Sequence, residues 1–458
     1  MSPKFLLLRT VSLAAAAVFA AILPNPTRAA DSVPVDIKAE LAQGILPAGA
    51  AKRTFIRIAV TPARRSHTRR APMNVALVID RSGSMASHAR MTNAREAARM
   101  AVDRLGRDDI LSVVSYDNRV DVDVPATKVI DPAGVKRSID RLTPRGSTAI
   151  HAALLAASNE VRKFKSRDRV NRIVLISDGL ANVGPSKPAD FEALGRELAS
   201  EGITVSTIGL GTGYNEDLMA GLARAADGGH VFVQESADLA GFLAREFDDA
   251  QSIVGQEVEI IIRLKDGVHP LRSLGREAKI SADKREIAYK VGALVGGVEQ
   301  VLLGEIEIDA ASTELKTATI AEISVAYTDV ATGRRKTESA TASVSFDRDH
   351  DRAGKSINAA VMRDVTTLVS RATRQEAVRL RDKGRLDEAR SKFEANAKYV
   401  REQQKRLPGA ADYAPLVEEL KANELAASKS AQTREGWQRA RKVQRATDGN
   451  KFGASQKY

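Results

Sequence analysis

The chain has 458 residues, 43% hydrophobic and 28% charged, an ordinary globular composition with room for roughly two to four domains. Cysteine is absent, which excludes disulfides, thiolate metal sites and thiol nucleophiles, so any metal must sit on oxygen or imidazole. The formal charge of +12 suggests nucleic acid until it is divided along the chain. Residues 1–30 carry three basic groups and no acidic one, residues 351–458 carry 24 basic and 14 acidic, and the stretch between is close to neutral.

Residues 1–30 have the three parts of a secretory signal: Lys4 and Arg9, an apolar run from Val11 to Leu23, and small residues through Ala29 and Ala30. The run is short for a membrane span, which needs about 20 residues. Cleavage is therefore expected, giving a periplasmic or secreted protein with no transmembrane segment in the mature chain. No cysteine is available for a lipid anchor.

Within 31–71, Val35–Leu41 and Thr54–Val60 read as two strands. From 72 to 251, short apolar runs such as Asn74–Asp80 and Arg172–Ser177 alternate with helical periodicity, which predicts a Rossmann-like α/β domain with a parallel sheet. From 252 to 348 the period changes to two, predicting antiparallel β structure. A two-stranded hairpin is marginal alone, so the early strands are expected to join the later ones in one β-sandwich-like domain, into which the α/β domain is inserted. Residues 349–426 read as a helical hairpin turning at Lys383-Gly384, with a further amphipathic segment from Tyr413 to Leu425. Residues 427–458, basic and with a single Trp437, read as a disordered tail.

Asp80, Ser82 and Ser84 stand at alternate positions just past a buried strand. In an open parallel sheet, ligands bind beyond the strand carboxyl ends. Thr148, after Arg145-Gly146-Ser147, and Asp178, in Ser177-Asp178-Gly179, are expected at equivalent places facing water. An all-oxygen set of this kind suits Mg²⁺ or Mn²⁺, with Ca²⁺ as a third choice.

On these residues the chain resembles the von Willebrand factor A domain family, over about Asn74 to Asp249. The family's metal-ion-dependent adhesion site is built from an Asp-x-Ser-x-Ser loop, a distant Thr and a distant Asp-Gly. The resemblance implies that Asp80, Ser82, Ser84, Thr148 and Asp178 form that site here, the hydroxyls touching the metal and the aspartates acting largely through water. It also implies a protein partner presenting Asp or Glu to the metal.

The expected function is an exported, metal-dependent adhesion or scaffold protein. An enzyme is not expected: no Gly-x-Ser-x-Gly elbow and no recognisable general base accompany the site, which leaves a metal-dependent hydrolase as a lesser alternative. A second alternative is an envelope scaffold acting through the helical tail, with a structural α/β domain. His88 and His151 read as solvated loop residues, and Gly209-Leu-Gly211-Thr-Gly213 as a structural turn. The basic stretches at Arg64, Arg65, Arg69 and Arg70 and from Arg162 to Arg172 read as solvated surface, with contact to an anionic envelope surface as the alternative. The tail has few aromatics for stacking, so no nucleic acid partner is expected.

Overall fold

The computed structural model describes residues 34–64, 70–211, 213–310 and 316–428, with 431, 433, 435–438 and 440–442 beyond them. The expected signal segment, Arg65 and Arg69 of the basic linker, and the tail after Lys442 lie outside the described residues. Every described element belongs to one compact unit, Ser32–Tyr458.

Three strands come first: β1 (Val35–Leu41), β2 (Ile45–Pro47) and β3 (Lys52–Pro62). The α/β layer then runs β4 (Met73–Asp80), α1 (Arg90–Asp103), β5 (Ile110–Tyr116), β6 (Val120–Lys128), α2 (Pro132–Asp140), α3 (Ile150–Arg162) and β7 (Val170–Ser177). It continues with α4 (Pro188–Ser200), β8 (Thr204–Leu210), α5 (Glu216–Ala225), β9 (His230–Val233) and α6 (Leu239–Gln251). The sheet order β6-β5-β4-β7-β8-β9 is that of a doubly wound, Rossmann-like fold. Along β4, Val75, Leu77 and Ile79 join one core with Met91 of α1 and Phe247 of α6, while Ala76 and Val78 join another with Leu154, Phe191 and Leu218 of α3, α4 and α5. Burial on both faces explains why β4 is apolar without alternation.

Two details depart from the expected parallel sheet. β6 runs antiparallel to β5, because the turn at residues 117–119 is far shorter than the dozen or so residues a parallel crossover needs. The additional helix α2 starts with Pro132 at its first turn, and the Asp131 carboxylate caps it by accepting from the Gly134 N–H at 2.9 Å.

The chain then forms β10 (Ile253–Leu264), β11 (Val268–Leu274), β12 (Lys279–Ile280), β13 (Glu286–Val295), β14 (Gln300–Ile308), β15 (Thr317–Asp329) and β16 (Arg335–Asp347). One sheet has the order β1-β3-β14-β11 and the other β12-β13-β10-β15-β16-β2. Ile56, Ile58 and Ile306 of the first share a core with Ile260, Ile262 and Val325 of the second, so the two stack as a sandwich. Strands before the α/β layer thus pair with strands after it, with Ile58 opposite Leu302. The pairing is antiparallel apart from β2 and β16, which run parallel.

Helices α7 (His350–Lys355), α8 (Ala359–Asp382), α9 (Leu386–Arg406) and α10 (Ala414–Ala427) complete the chain. α8 lays Val361, Val365 and Leu368 on Leu274, Val301 and Leu303 of the sandwich. The hairpin of α8 and α9 is not alone. α10 packs against both through buried polar groups: Asn396 Nδ2 donates to the Ser370 carbonyl at 2.8 Å and to Asn423 Oδ1 at 3.0 Å, and Arg374 pairs with Glu419 at 3.1 Å. The expectation of a disordered tail from residue 427 also fails for the described residues among 435–442. Residues 435–438 and 440–442 are helical, because Trp437 packs on Phe393 at 6.2 Å and Lys442 reaches the Tyr214 carbonyl at 3.0 Å and Glu216 at 2.8 Å. Among the described residues no helix is long and apolar enough to cross a membrane.

Candidate metal centre

Asp80 ends β4 and Ser177 ends the neighbouring β7, at the point where the strand order reverses and a crevice opens beyond the carboxyl ends. Three loops lace together over that point. The Gly83 N–H donates to the Gly146 carbonyl at 3.0 Å and the Arg145 N–H to the Arg81 carbonyl at 2.7 Å. The Thr148 N–H donates to Asn182 Oδ1 at 2.8 Å, and the Asn182 N–H returns a bond to the Thr148 carbonyl at 3.2 Å.

All five expected residues converge. Ser82 and Ser84 hydroxyls lie 3.0 Å apart, and Ser84 donates to Asp178 Oδ1 at 2.7 Å. Asp80 Oδ1 accepts from the Ser82 N–H at 2.8 Å, and its Oδ2 accepts from the Ser177 hydroxyl at 2.6 Å. Gly179 shows how Thr148 joins them: a Cβ there would lie 3.1 Å from Thr148 Oγ1 and 3.4 Å from Asp80 Oδ2, so both oxygens border the same small space and a side chain would crowd Thr148.

Asp80 does not face water as expected. It is fully buried, as are Ser82, Thr148 and Asp178, and of the five only Ser84 is exposed, because the laced loops close over the strand ends. Burial pushes the Asp80 carboxyl up to about 6, against the lowering effect of its bonds from Ser177 and Ser82, with the Asp178 charge raising it further. A cation beside it would favour the ionised form. Among the described residues there is no group of three or more His, Cys, Asp or Glu placed to hold a metal. The donor set here is of a different kind, three hydroxyls with two carboxylates, and that chemistry fits a hard divalent cation.

Sequence reasoning missed two participants. Ser177 lies in the motif already singled out and fixes Asp80. Arg90, the first residue of α1, pairs with Asp178 Oδ2 at 2.5 Å, a partner 88 positions away that no local pattern shows. Of the weaker signals, His151 packs edge-on against Phe191 at 5.5 Å, and Gly209 seats Tyr214, whose ring a Cβ would strike at 2.1 Å. The glycine-rich segment is therefore a packing device. The basic stretches are largely compensated: Arg70 pairs with Asp109 and Arg162 with Glu201, and Arg172 is buried against Glu246.

Residues 74–245 match the model of the von Willebrand factor type A domain. The chain is 29% identical to an uncharacterized protein of Synechocystis sp. over 60% of its own length and 64% of the relative's. It is 27% identical to the uncharacterized protein YfbK of Escherichia coli over 50% of its length and 40% of that protein's, so the match spans less than two thirds of either relative. In three dimensions it is similar to a solved von Willebrand factor type A protein from Catenulispora acidiphila, with a TM-score of 0.71 at 16% identity, covering 93% of this chain and 99% of the other. That likeness extends the shared fold beyond the α/β layer to the sandwich and helices. The chain thus carries, in residues 74–245, a domain of the von Willebrand factor type A family.

Proposed function

We propose that this chain is an exported binding protein whose von Willebrand factor type A domain engages a protein partner through a divalent cation, Mg²⁺ or Mn²⁺ in preference to Ca²⁺. The observation that carries the reading is the convergence of Ser82, Ser84, Thr148, Asp80 and Asp178 at the strand ends, with Ser84 at the opening. The three hydroxyls would hold the cation, and the two carboxylates orient them: Asp178 accepts from Ser84 and Asp80 fixes the Ser82 backbone. A cation held mainly by neutral oxygens would supply an electrophilic centre for a hard anionic group such as a partner's Asp or Glu side chain. Export rests on the signal pattern of residues 1–30.

Binding is favoured over catalysis because each carboxylate is already committed to two hydrogen bonds, Asp80 with Ser82 and Ser177, Asp178 with Ser84 and Arg90. The tail is favoured as a strap over a docking surface, since α8 covers the sandwich and Lys442 is engaged within the chain. The test is calorimetric titration of the mature chain with Mg²⁺, followed by capture of partners from envelope extract with Mg²⁺ or with chelator. Saturable Mg²⁺ binding that is lost in Asp80→Asn, and capture lost with chelator, support the reading. Equal capture with and without chelator would move the docking point to the helical region.

A further inference from the structure

We infer that Arg90 is a built-in counter-cation of the metal centre, one that weakens binding of the metal ion alone and strengthens binding of an anionic ligand to the loaded site. The inference rests on the metal reading above and concerns how cation and ligand are coupled there.

The Arg90 guanidinium is held in place from three sides. Its Nη1 pairs with Asp178 Oδ2 at 2.5 Å and lies 3.5 Å from the Ser84 carbonyl. Its Nη2 lies against Gly211, where a Cβ would meet it at 2.8 Å, so a glycine in left-handed backbone (φ 64°) gives the guanidinium its seat. The chain is turned toward this seat by His88 and Ala89, two successive non-glycine residues with φ of 54°, an uncommon conformation. With the arginine side chain 18% exposed and the Asp178 side chain 0% exposed, the pair is shielded from water, where charges interact more strongly.

The other arginines of these loops do not add to the balance. Arg81 pairs with Asp117 at 3.1 Å and with Asp121, and Arg145 reaches Asp117 at 2.8 Å and Asp121 at 3.4 Å. The centre itself consists of two carboxylates and one guanidinium, a single net negative charge. A divalent cation therefore leaves the site with one net positive charge, which an incoming carboxylate cancels. Without Arg90 the same cation would already neutralise the site, and the carboxylate would return it to a net negative charge. Arg90 thus shifts free energy from the first binding event to the second, and the two events are linked reciprocally.

The test uses the full mature chain and its R90Q, R90M and R90K variants, titrated calorimetrically with Mg²⁺ and then, at saturating Mg²⁺, with a short synthetic Asp-containing peptide. Circular dichroism establishes that each variant is folded, and R90M keeps an unbranched apolar stem while removing the guanidinium that sits at Gly211. Removing the charge should tighten Mg²⁺ binding by about tenfold and weaken the peptide by a similar factor, with R90K within about twofold of wild type in both. Mg²⁺ binding no tighter in folded R90Q and R90M, or peptide affinity unchanged in them, overturns the role of Arg90 while the metal site stands. Tightening in R90K as well would assign the effect to guanidinium geometry, and also overturns it. If wild type binds neither Mg²⁺ nor Mn²⁺, the metal reading fails and this inference falls with it.

Discussion

Asp80 is where the demands of folding and of binding conflict. A buried carboxylate raised to about 6 is poorly solvated, so its charge works against the metal-free fold, a cost that the cation of the proposed function would offset. Asp80→Asn keeps the shape and removes the charge. Its metal-free thermal midpoint should be at least about 2 °C above wild type, while Mg²⁺ no longer raises it. A lower midpoint in scanning calorimetry would show that the charge is stabilising. Gly179→Ala tests position without altering charge. The added Cβ would press on Thr148 Oγ1 at 3.1 Å, so Mg²⁺ affinity should fall by about tenfold with the fold intact; unchanged affinity would remove Thr148 from the ligand set.

At the scale of elements, a single buried arginine joins the sandwich to the helices. Arg57 of β3 pairs with Asp364 of α8 at 2.6 Å, with Glu299 at 2.8 Å and with Glu40 at 3.1 Å, and Tyr413, just before α10, donates to the same Asp364. Taking Arg57 away would leave the buried Asp364 uncompensated. Arg57→Met should cost about 3 kcal/mol in urea unfolding, less than three full pairs because Glu40 and Glu299 are each one third exposed. Arg53→Ala, which breaks the exposed pair with Glu307, should leave the urea midpoint unchanged and serves as the control. The α8 face was legible from its spaced valines and leucines. α10 was marked as the segment from Tyr413 to Leu425, but not its partners: besides Leu416 and Ala426, which share cores with Val400 and Phe393, it packs through Glu419 and Asn423, polar groups that carry no hydrophobic period.

At the scale of the whole molecule, the α/β layer is a loop of the sandwich, because β3 lies between β1 and β14. A 72–251 fragment should fold cooperatively. A 253–348 fragment lacks β3, which pairs with β14 and brings Ile56, Ile58 and Val60 to the shared core, and should show a sharp thermal transition only when residues 33–62 are supplied. The helical region spans both parts: α8 begins on the sandwich, and at its far end Asp382 meets Arg441, which also holds Glu216 and Asp217 of α5. Truncation after residue 430 should speed amide exchange in residues 213–217 while leaving β4 protected; unchanged exchange there would mean that the strap adds nothing to this loop.

What the sequence by itself determined is what local pattern can carry. A run of residues buried on both faces announces β4 and β7, and oxygen-bearing side chains just past strand ends mark where they converge, because a strand's carboxyl end is where a doubly wound sheet opens. Alternation announced the later strands, and the instability of a lone hairpin pointed the early ones toward them. Only the tertiary structure decided which groups close in from a distance: Ser177 on Asp80, Arg90 on Asp178, and Lys442 on Tyr214 across 228 positions. These contacts depend on how loops are laced and where helices begin. Charge pairs and buried polar networks have no periodicity along the chain, so they become visible only once packing has brought the partners together.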